Sequence, residues 1–143
     1  MDIVRHIING AEIAEAARTG QVFDPATGQV SKQVAFASTA EVDRAIAAAA
    51  SALPAWRETS LIKRADVFFR LRQLLKERTP ELAAIVTSEH GKVLSDAAGE
   101  VSRGIENVEF AAGLVHLLKG ERSEQVSRGV DVHSVKQLSL IHI

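Results

Sequence analysis

The chain has 143 residues, which is about the length of one domain and enough to bury a hydrophobic core. Its 17 Lys and Arg residues against 18 Asp and Glu residues give a net charge of -1, with no block of either sign, so neither nucleic acid nor a membrane surface is a predicted partner. The chain contains no cysteine, which excludes disulfides, thiolate metal sites and a cysteine nucleophile within these residues. No apolar run approaches the roughly 20 residues of a membrane span, and the expected location is the cytoplasm.

Residues 3 to 37 have the pattern of short strands and turns. Asn9-Gly10 lies between two short apolar runs, and both positions of a type I′ turn favour these residue types, so this dipeptide predicts a hairpin. A second turn is predicted where Asp24-Pro25 opens and Gly28 closes the stretch "FDPATGQV". Two ribbons of this size are not stable alone, so we expect them to pack against helices.

From residue 38 the apolar period changes from two to about 3.6, which predicts helices. Ser38 and Glu41 form a capping box at the start of the first, and Pro54 is expected to end it. The second helix is predicted over residues 61 to 78.

A third helix is predicted from the stretch that begins "TPEL". Thr79 is expected to cap it, with Pro80 at its first position and Gly91 at its C-terminus. Lys92 then lies near the negative end of the helix dipole.

The fourth helix is predicted over residues 95 to 119, with apolar residues on two sides. One side is a core stripe, formed by Ala98, Val101, Ile105, Val108, Ala112, Val115 and Leu118. A second stripe, nearly opposite, is predicted to contain Arg103, Phe110, Leu114 and Leu117, without an obvious partner in this chain. A strand, a turn at Arg128-Gly129 and another strand follow.

Most motifs for catalysis or metal binding are absent from the sequence. Gly91-Lys92 is not a phosphate loop, because Val86 occupies the position of the first glycine and Val93 that of the Ser or Thr. The five histidines, at positions 6, 90, 116, 133 and 142, have no metal-ligand spacing, and no serine occupies a nucleophile elbow. We therefore predict no catalytic, cofactor-binding or metal-binding residue in this chain.

Arg103 is the one position where a functional role competes with a structural one. It lies in "GEVSRGIENVEF", residues 99 to 110, where Glu100 and Glu106 could form a surface ion pair with it at three-residue spacing. The alternative is that Arg103, at the end of an apolar stripe with Phe110, binds a carboxylate through two parallel hydrogen bonds.

The sequence resembles the NAD-dependent aldehyde dehydrogenases over residues 7 to 137. The resemblance is carried, in chain order, by "INGAEI", "VFDPATGQV", "STAEVDRAIAAAASALPAW", "KRADVFFRLRQLLKERTPELA", "SEHGKVLSDAAGEVSRGIENVEFAAG" and "LLKGE". Within that family, residues 88 to 113 and the later "GVDV" are most similar to the CoA-acylating branch that acts on methylmalonate semialdehyde.

This resemblance implies an α/β fold: N-terminal hairpins, about four helices and a C-terminal ribbon, mostly helical as it stands. Residues 1 to 124 would belong to the NAD-binding domain, and residues 125 to 137 to the arm through which family subunits associate, as a homotetramer or homodimer. The resemblance further implies that Arg103 binds the substrate carboxylate. The parent enzyme would oxidise malonate or methylmalonate semialdehyde with NAD and CoA, in valine or inositol catabolism.

The same resemblance implies that catalytic parts are missing from this chain. The family's nucleophilic cysteine, oxyanion-hole asparagine and NAD-binding units come later in the sequence, so we expect a truncated parent and a chain that is inactive and binds no cofactor alone. Residues 138 to 143, "LSLIHI", depart from the family and equal the translation of a common sequencing adapter. We therefore expect this tail to be non-native; the alternative is the end of a natural apolar strand.

Two other functions remain open from the sequence. The chain could belong to an aldehyde dehydrogenase for another aldehyde, such as a different semialdehyde or betaine aldehyde, with NAD or NADP. It could also be a non-catalytic helical module whose two-sided helix binds a partner. The downstream codons distinguish these, because they contain or lack the cysteine.

Overall fold

The computed structural model describes residues 2–13 and 18–137. The predicted tail at 138–143 lies outside the described residues. In chain order the elements are β1 (Ile3–Val4), β2 (His6–Ile8), β3 (Ala11–Ile13), β4 (Thr19–Phe23), β5 (Val30–Ala35), α1 (Thr39–Glu58), α2 (Leu61–Glu77), α3 (Thr79–His90), α4 (Leu94–Ala112), α5 (Leu114–Leu117), β6 (Glu121–Ser127) and β7 (Val130–Ser134).

The two predicted N-terminal hairpins are confirmed. Asn9 and Gly10 both have positive φ, 53° and 75°, and join β2 to β3 in antiparallel register. In the second hairpin Gly28 has φ 70°, its N–H donates to the carbonyl of Asp24 at 2.8 Å, and β4 pairs antiparallel with β5. Strand β1 then adds to β5 in parallel, which completes a three-stranded sheet.

The second hairpin lies against the end of α3. Lys32 on β5 forms an ion pair with Glu89, Nζ to Oε1 2.7 Å. Gly91 has φ 81°, and a Cβ atom there would lie 3.1 Å from the Pro25 ring. The hairpin is therefore supported by the helices, as the sequence predicts, and Gly91 ends α3 in the left-handed conformation.

Helix α1 begins as predicted and ends later than predicted. Both hydrogen bonds of the Ser38 and Glu41 capping box are present. The prediction that Pro54 ends the helix is wrong, because α1 continues to Glu58 with the proline inside it. A proline in a helix removes one hydrogen bond and strains the preceding turn, but the residues after it here favour helix and carry the chain to Thr59.

Small residues form most of the core between α2, α3 and α4. The buried apolar side chains are Ala35, Ala65, Ala83, Ala97, Ile105, Ala112 and Leu114. Alanine at the contacts lets helix backbones approach closely. The prediction that Thr79 caps α3 is wrong: its hydroxyl donates to the carbonyl of Leu75 at 2.9 Å, and α3 begins without a side-chain cap.

The predicted single helix over 95 to 119 is in fact two helices. Helix α4 ends at Ala112, and α5 begins after Gly113, a poor helix former. The break turns Leu114 into the core, where it is 9% exposed, while Phe110 is 71% exposed. The predicted second apolar stripe is therefore wrong, because its members do not share one face.

The C-terminal ribbon is formed by β6 and β7 around a turn in which Gly129 has φ 75°. The register shifts between Ser123 and Ser127, where Gln125 has φ 53° and its N–H donates to Asp131 Oδ1 at 3.0 Å. This is a bulge, which increases the local twist. Every residue of the two strands is exposed, so the ribbon has no cover within the described chain.

Candidate functional site

Arg103 lies on the side of α4 that faces away from the helix core. Ile105, at the centre of the buried side, is 7% exposed. Successive residues of a helix are about 100° apart, so Arg103 lies about 160° around the helix from Ile105. Its side chain is exposed to solvent. The predicted binding residue is thus held by a 19-residue helix and is accessible to a ligand.

Arg103 shares this surface with three other residues within about 60° of the helix circumference. We call the surface the α4 outer face; it is formed by Gly99, Arg103, Glu106 and Phe110. A methyl group added at Gly99, or at neighbouring Gly104, would meet no atom within 4 Å. The guanidinium therefore has open space beside it.

Nearby carboxylates do not neutralise Arg103. Within the described residues its guanidinium forms no hydrogen bond or ion pair, and the one side-chain hydrogen bond at Arg103 is from Asn107 Nδ2 to its backbone carbonyl, at 2.9 Å. Glu100 pairs instead with Lys92, Nζ to Oε1 2.5 Å. The ion pair with Glu100 or Glu106 that the sequence allows is accordingly not observed in this part of the chain.

The charge on Glu100 is stabilised chiefly from outside α4. The hydrogen bond from Lys92 holds the pKa of Glu100 below its ordinary value, against partial desolvation, and the positive charge of Arg103 makes the smallest contribution. Glu100 is therefore an anion at neutral pH whose ion-pair partner is Lys92.

The α4 outer face suits binding rather than proton transfer. A guanidinium stays protonated at all physiological pH values and offers parallel N–H donors that match the two oxygens of a carboxylate. It is neither a general base nor a nucleophile. The arrangement can therefore hold and orient an anionic ligand, while any bond-making group must come from elsewhere.

Other features of the described residues add no second reactive site. Residues 2–13 and 18–137 contain no group of three or more His, Asp or Glu side chains placed to hold a metal ion. None of the helices described is long and apolar enough to cross a membrane. An open cleft of about 470 Å³ between α2, α4 and α5 is lined by apolar side chains such as Ile62 and Phe69.

The ion pair between Lys92 and Glu100 was missed by the sequence analysis, which assigned Lys92 to the dipole of α3. The two residues are eight positions apart, with Lys92 in the α3–α4 turn and Glu100 in the second turn of α4. No periodic pattern within one helix connects them. Only the angle at which α4 leaves the turn brings the Lys92 ammonium to Glu100.

Comparison with known proteins identifies the family to which this chain belongs. The fold and the sequence match the aldehyde dehydrogenase family over residues 13–137. The chain belongs to this family of oxidoreductases, which confirms the resemblance and the predicted fold class.

Within the family, similar curated proteins are named for one kind of substrate. The chain is 43% identical over 134 residues to a malonate-semialdehyde dehydrogenase from Pseudomonas aeruginosa, covering 94% of this chain and 27% of the relative. It is 42% identical over 129 residues to malonate-semialdehyde dehydrogenase 2 from Geobacillus thermodenitrificans, covering 90% of this chain and 27% of that protein. The chain thus spans about a quarter of the length of these relatives.

Two crystal structures with similar folds carry related names. A methylmalonate-semialdehyde dehydrogenase from Oceanimonas doudoroffii superposes with a TM-score of 0.89 at 47% identity, covering 96% of this chain and 28% of that one. A putative methylmalonate-semialdehyde dehydrogenase from Sinorhizobium meliloti, complexed with NAD, has a TM-score of 0.87 at 39% identity, with 94% and 28% coverage.

Proposed function

We propose that this chain works as part of a longer enzyme that oxidises malonate or methylmalonate semialdehyde with NAD and CoA. The products would be acetyl-CoA or propanoyl-CoA, with loss of CO2. The observation that carries the proposal is the exposed, unpaired guanidinium of Arg103 on a rigid helix, in a chain similar to proteins named for aldehydes that carry a carboxylate.

In this proposal Arg103 binds the carboxylate of the semialdehyde. The substrate keeps its negative charge at neutral pH, so a cation that cannot lose its proton is the suitable partner. Because α4 is anchored by the buried Ile105, the backbone position from which Arg103 would reach the carboxylate is fixed. The aldehyde end of the substrate would then point towards the catalytic cysteine, which another part of the enzyme supplies.

NAD would be held outside the described residues. The turn from β5 to α1 contains no glycine, and the N-terminus of α1 is already occupied by the Glu41 carboxylate, which accepts the N–H of Ser38 at 2.7 Å. A carboxylate is thus already present at this start of a helix, where a pyrophosphate would have to bind. When bound, NAD accepts a hydride, and this chain's own contribution is to orient the substrate.

The chemistry requires a thiol that this segment lacks. A cysteine thiolate would add to the aldehyde carbon, and hydride would leave to NAD to give a thioester that still carries the carboxylate. That carboxylate would leave as CO2, with a proton taken up at the α-carbon, and the remaining acyl group would pass to the CoA thiol. The thiol of CoA replaces that of cysteine, so the enzyme is regenerated. Arg103 takes no part in bond making and acts by position alone.

We assign residues 1 to 124 to the NAD-binding domain and residues 125 to 137 to an arm for subunit association in a homotetramer or homodimer. The support for the arm is that β6 and β7 are wholly exposed and carry the large apolar side chains Val126, Val130 and Val132. Such a surface favours association. Strand β6 already begins at Glu121, so the ribbon extends four residues before this boundary.

The test is product analysis with the full-length enzyme that carries this segment. We expect NADH and acyl-CoA in equal amounts from methylmalonate semialdehyde, and a single turnover of NADH when CoA is omitted. Sustained NADH production with release of a free acid would contradict the CoA-dependent reaction. A higher kcat/KM for betaine aldehyde or another aldehyde would instead favour the alternative substrate.

A further inference from the structure

The ion pair between Lys92 and Glu100 connects the α3–α4 turn to the second turn of α4. The Lys92 ammonium lies 2.5 Å from Oε1 of Glu100, and the two side chains are 20% and 42% exposed. Lys92 follows directly after Gly91, whose left-handed conformation ends α3. The ammonium is therefore held near a fixed turn and is partly shielded from water.

Glu100 is also a possible partner for Arg103. The two residues are three positions apart on α4, a spacing at which opposite charges on a helix attract each other. The structure shows Glu100 engaged by Lys92, while the guanidinium of Arg103 has no ion pair within the described residues. One carboxylate thus has two cations within reach and is bound by the one outside its own helix.

We propose that Lys92 is a positioning residue that keeps Arg103 free for its ligand by holding Glu100. The proposal rests on the proposed function, because it assumes that Arg103 binds the carboxylate of the substrate. Lys92 itself touches no substrate. By pairing with Glu100, Lys92 keeps that carboxylate from competing with the substrate for Arg103. It also cancels the negative charge of Glu100, which lies one helical turn from Arg103.

Loss of the Lys92 charge has two consequences. Glu100 becomes free to pair with Arg103, so the substrate carboxylate must displace it. Its uncompensated charge also repels the anionic substrate. Exposed pairs of this kind are weak, so KM for the carboxylated substrate should rise about two- to fivefold, with little change in kcat. An aldehyde without a carboxylate should be almost unaffected.

The experiment compares Lys92→Met with Lys92→Met/Glu100→Gln in the full-length enzyme. Methylmalonate semialdehyde and propionaldehyde serve as the two substrates. The single variant should raise KM for the first substrate only, and the double variant should restore it because the competing charge is gone. The increase should shrink at high ionic strength, where charge interactions are screened. Lys92→Arg, which keeps an ion pair, should behave as the wild type.

The matched control is Lys32→Met, which breaks the pair with Glu89, Nζ to Oε1 2.7 Å, away from the α4 outer face. It should change neither KM. The inference is overturned if Lys92→Met raises both KM values equally, if Glu100→Gln fails to rescue it, or if Lys92→Met has no effect while Arg103→Leu still lowers selectivity. In that last case the proposed function stands. If Arg103→Leu does not lower selectivity either, both proposals fail.

Discussion

The Nε atom of Arg72 on α2 donates to Oε2 of Glu109 on α4 at 2.9 Å, and this pair bridges two helices of the core. Arg72 is the more enclosed partner, with its side chain 26% exposed against 55% for Glu109. The hydrogen bond from Arg72 and its charge hold the pKa of Glu109 below the ordinary value of 4.5. The carboxylate is therefore bound more favourably in the folded chain than in the unfolded one.

The pair predicts an acid-sensitive contribution to stability. A depressed pKa means that the stabilisation is complete above the unfolded value of 4.5 and is lost as pH falls through the lower folded value. We expect Arg72→Met to lower the melting temperature at pH 7, with the difference from wild type narrowing below pH 4.5. Thermal unfolding of both proteins between pH 7 and pH values below 4.5 measures this difference in melting temperature. A difference that is constant with pH would mean that Arg72 acts by packing alone.

Gly91 and Gly104 should respond in opposite ways to alanine. Gly91 has φ 81°, and an added methyl would lie 3.1 Å from Pro25, so Gly91→Ala should cost about 1–2 kcal/mol. Gly104 is exposed within α4 with nothing nearby, so Gly104→Ala should stabilise by about 0.5–1 kcal/mol. Urea unfolding of both variants measures whether the free energy of unfolding falls for Gly91→Ala and rises for Gly104→Ala. Equal effects would refute the left-handed cap.

Alanine substitutions at Leu114 and Phe110 should differ in their effect on stability. Leu114→Ala should cost about 2–3 kcal/mol because its side chain is buried against α2, whereas Phe110→Ala should change stability by less than about 0.5 kcal/mol. Phe110→Ala should instead lower the binding of a dye that detects exposed apolar surface. Unfolding and dye fluorescence together test the break at Gly113. If α4 continued through residue 114, the large effect would not fall on Leu114.

The 143-residue chain alone should neither oxidise aldehydes nor bind NAD. It has no cysteine, and its β5–α1 turn offers no glycine-rich loop. Calorimetric titration of the chain with NAD measures whether it binds the cofactor. Saturable binding to this chain would contradict the assignment of the cofactor to the rest of the enzyme.

Local signals predicted several turns and helix ends correctly, although the Pro54 stop of α1 and the Thr79 cap of α3 were wrong. Asn9-Gly10, the Ser38 capping box and Gly91 each depend on backbone conformation over a few residues, and all three are confirmed. The family was predictable too, because its motifs are contiguous in the chain.

Features that depend on packing between helices were not predictable. The apolar period continues across Gly113, although glycine is a poor helix former, so the pattern favours one helix. The inward position of Leu114 depends on contact between α5 and α2. Helix α1 also continues through Pro54 to Glu58, although a proline inside a helix costs about 3 kcal/mol. For the candidate site, the sequence singled out Arg103 as a hypothesis but did not predict the ion pair between Lys92 and Glu100.

The most direct test of the central claim is the effect of Arg103→Leu on substrate selectivity in the full-length enzyme. Leucine keeps the bulk and helix propensity but removes the partner of the carboxylate. Arg70→Leu, the same change at an exposed position of α2, is the control and should leave selectivity unchanged.

We predict that Arg103→Leu lowers kcat/KM for methylmalonate semialdehyde about 10- to 150-fold, the usual loss for a charged hydrogen-bond partner, and barely alters kcat/KM for propionaldehyde. Equal and small losses on both substrates, matching those of Arg70→Leu, would contradict the account and make Arg103 a surface residue without a role in binding.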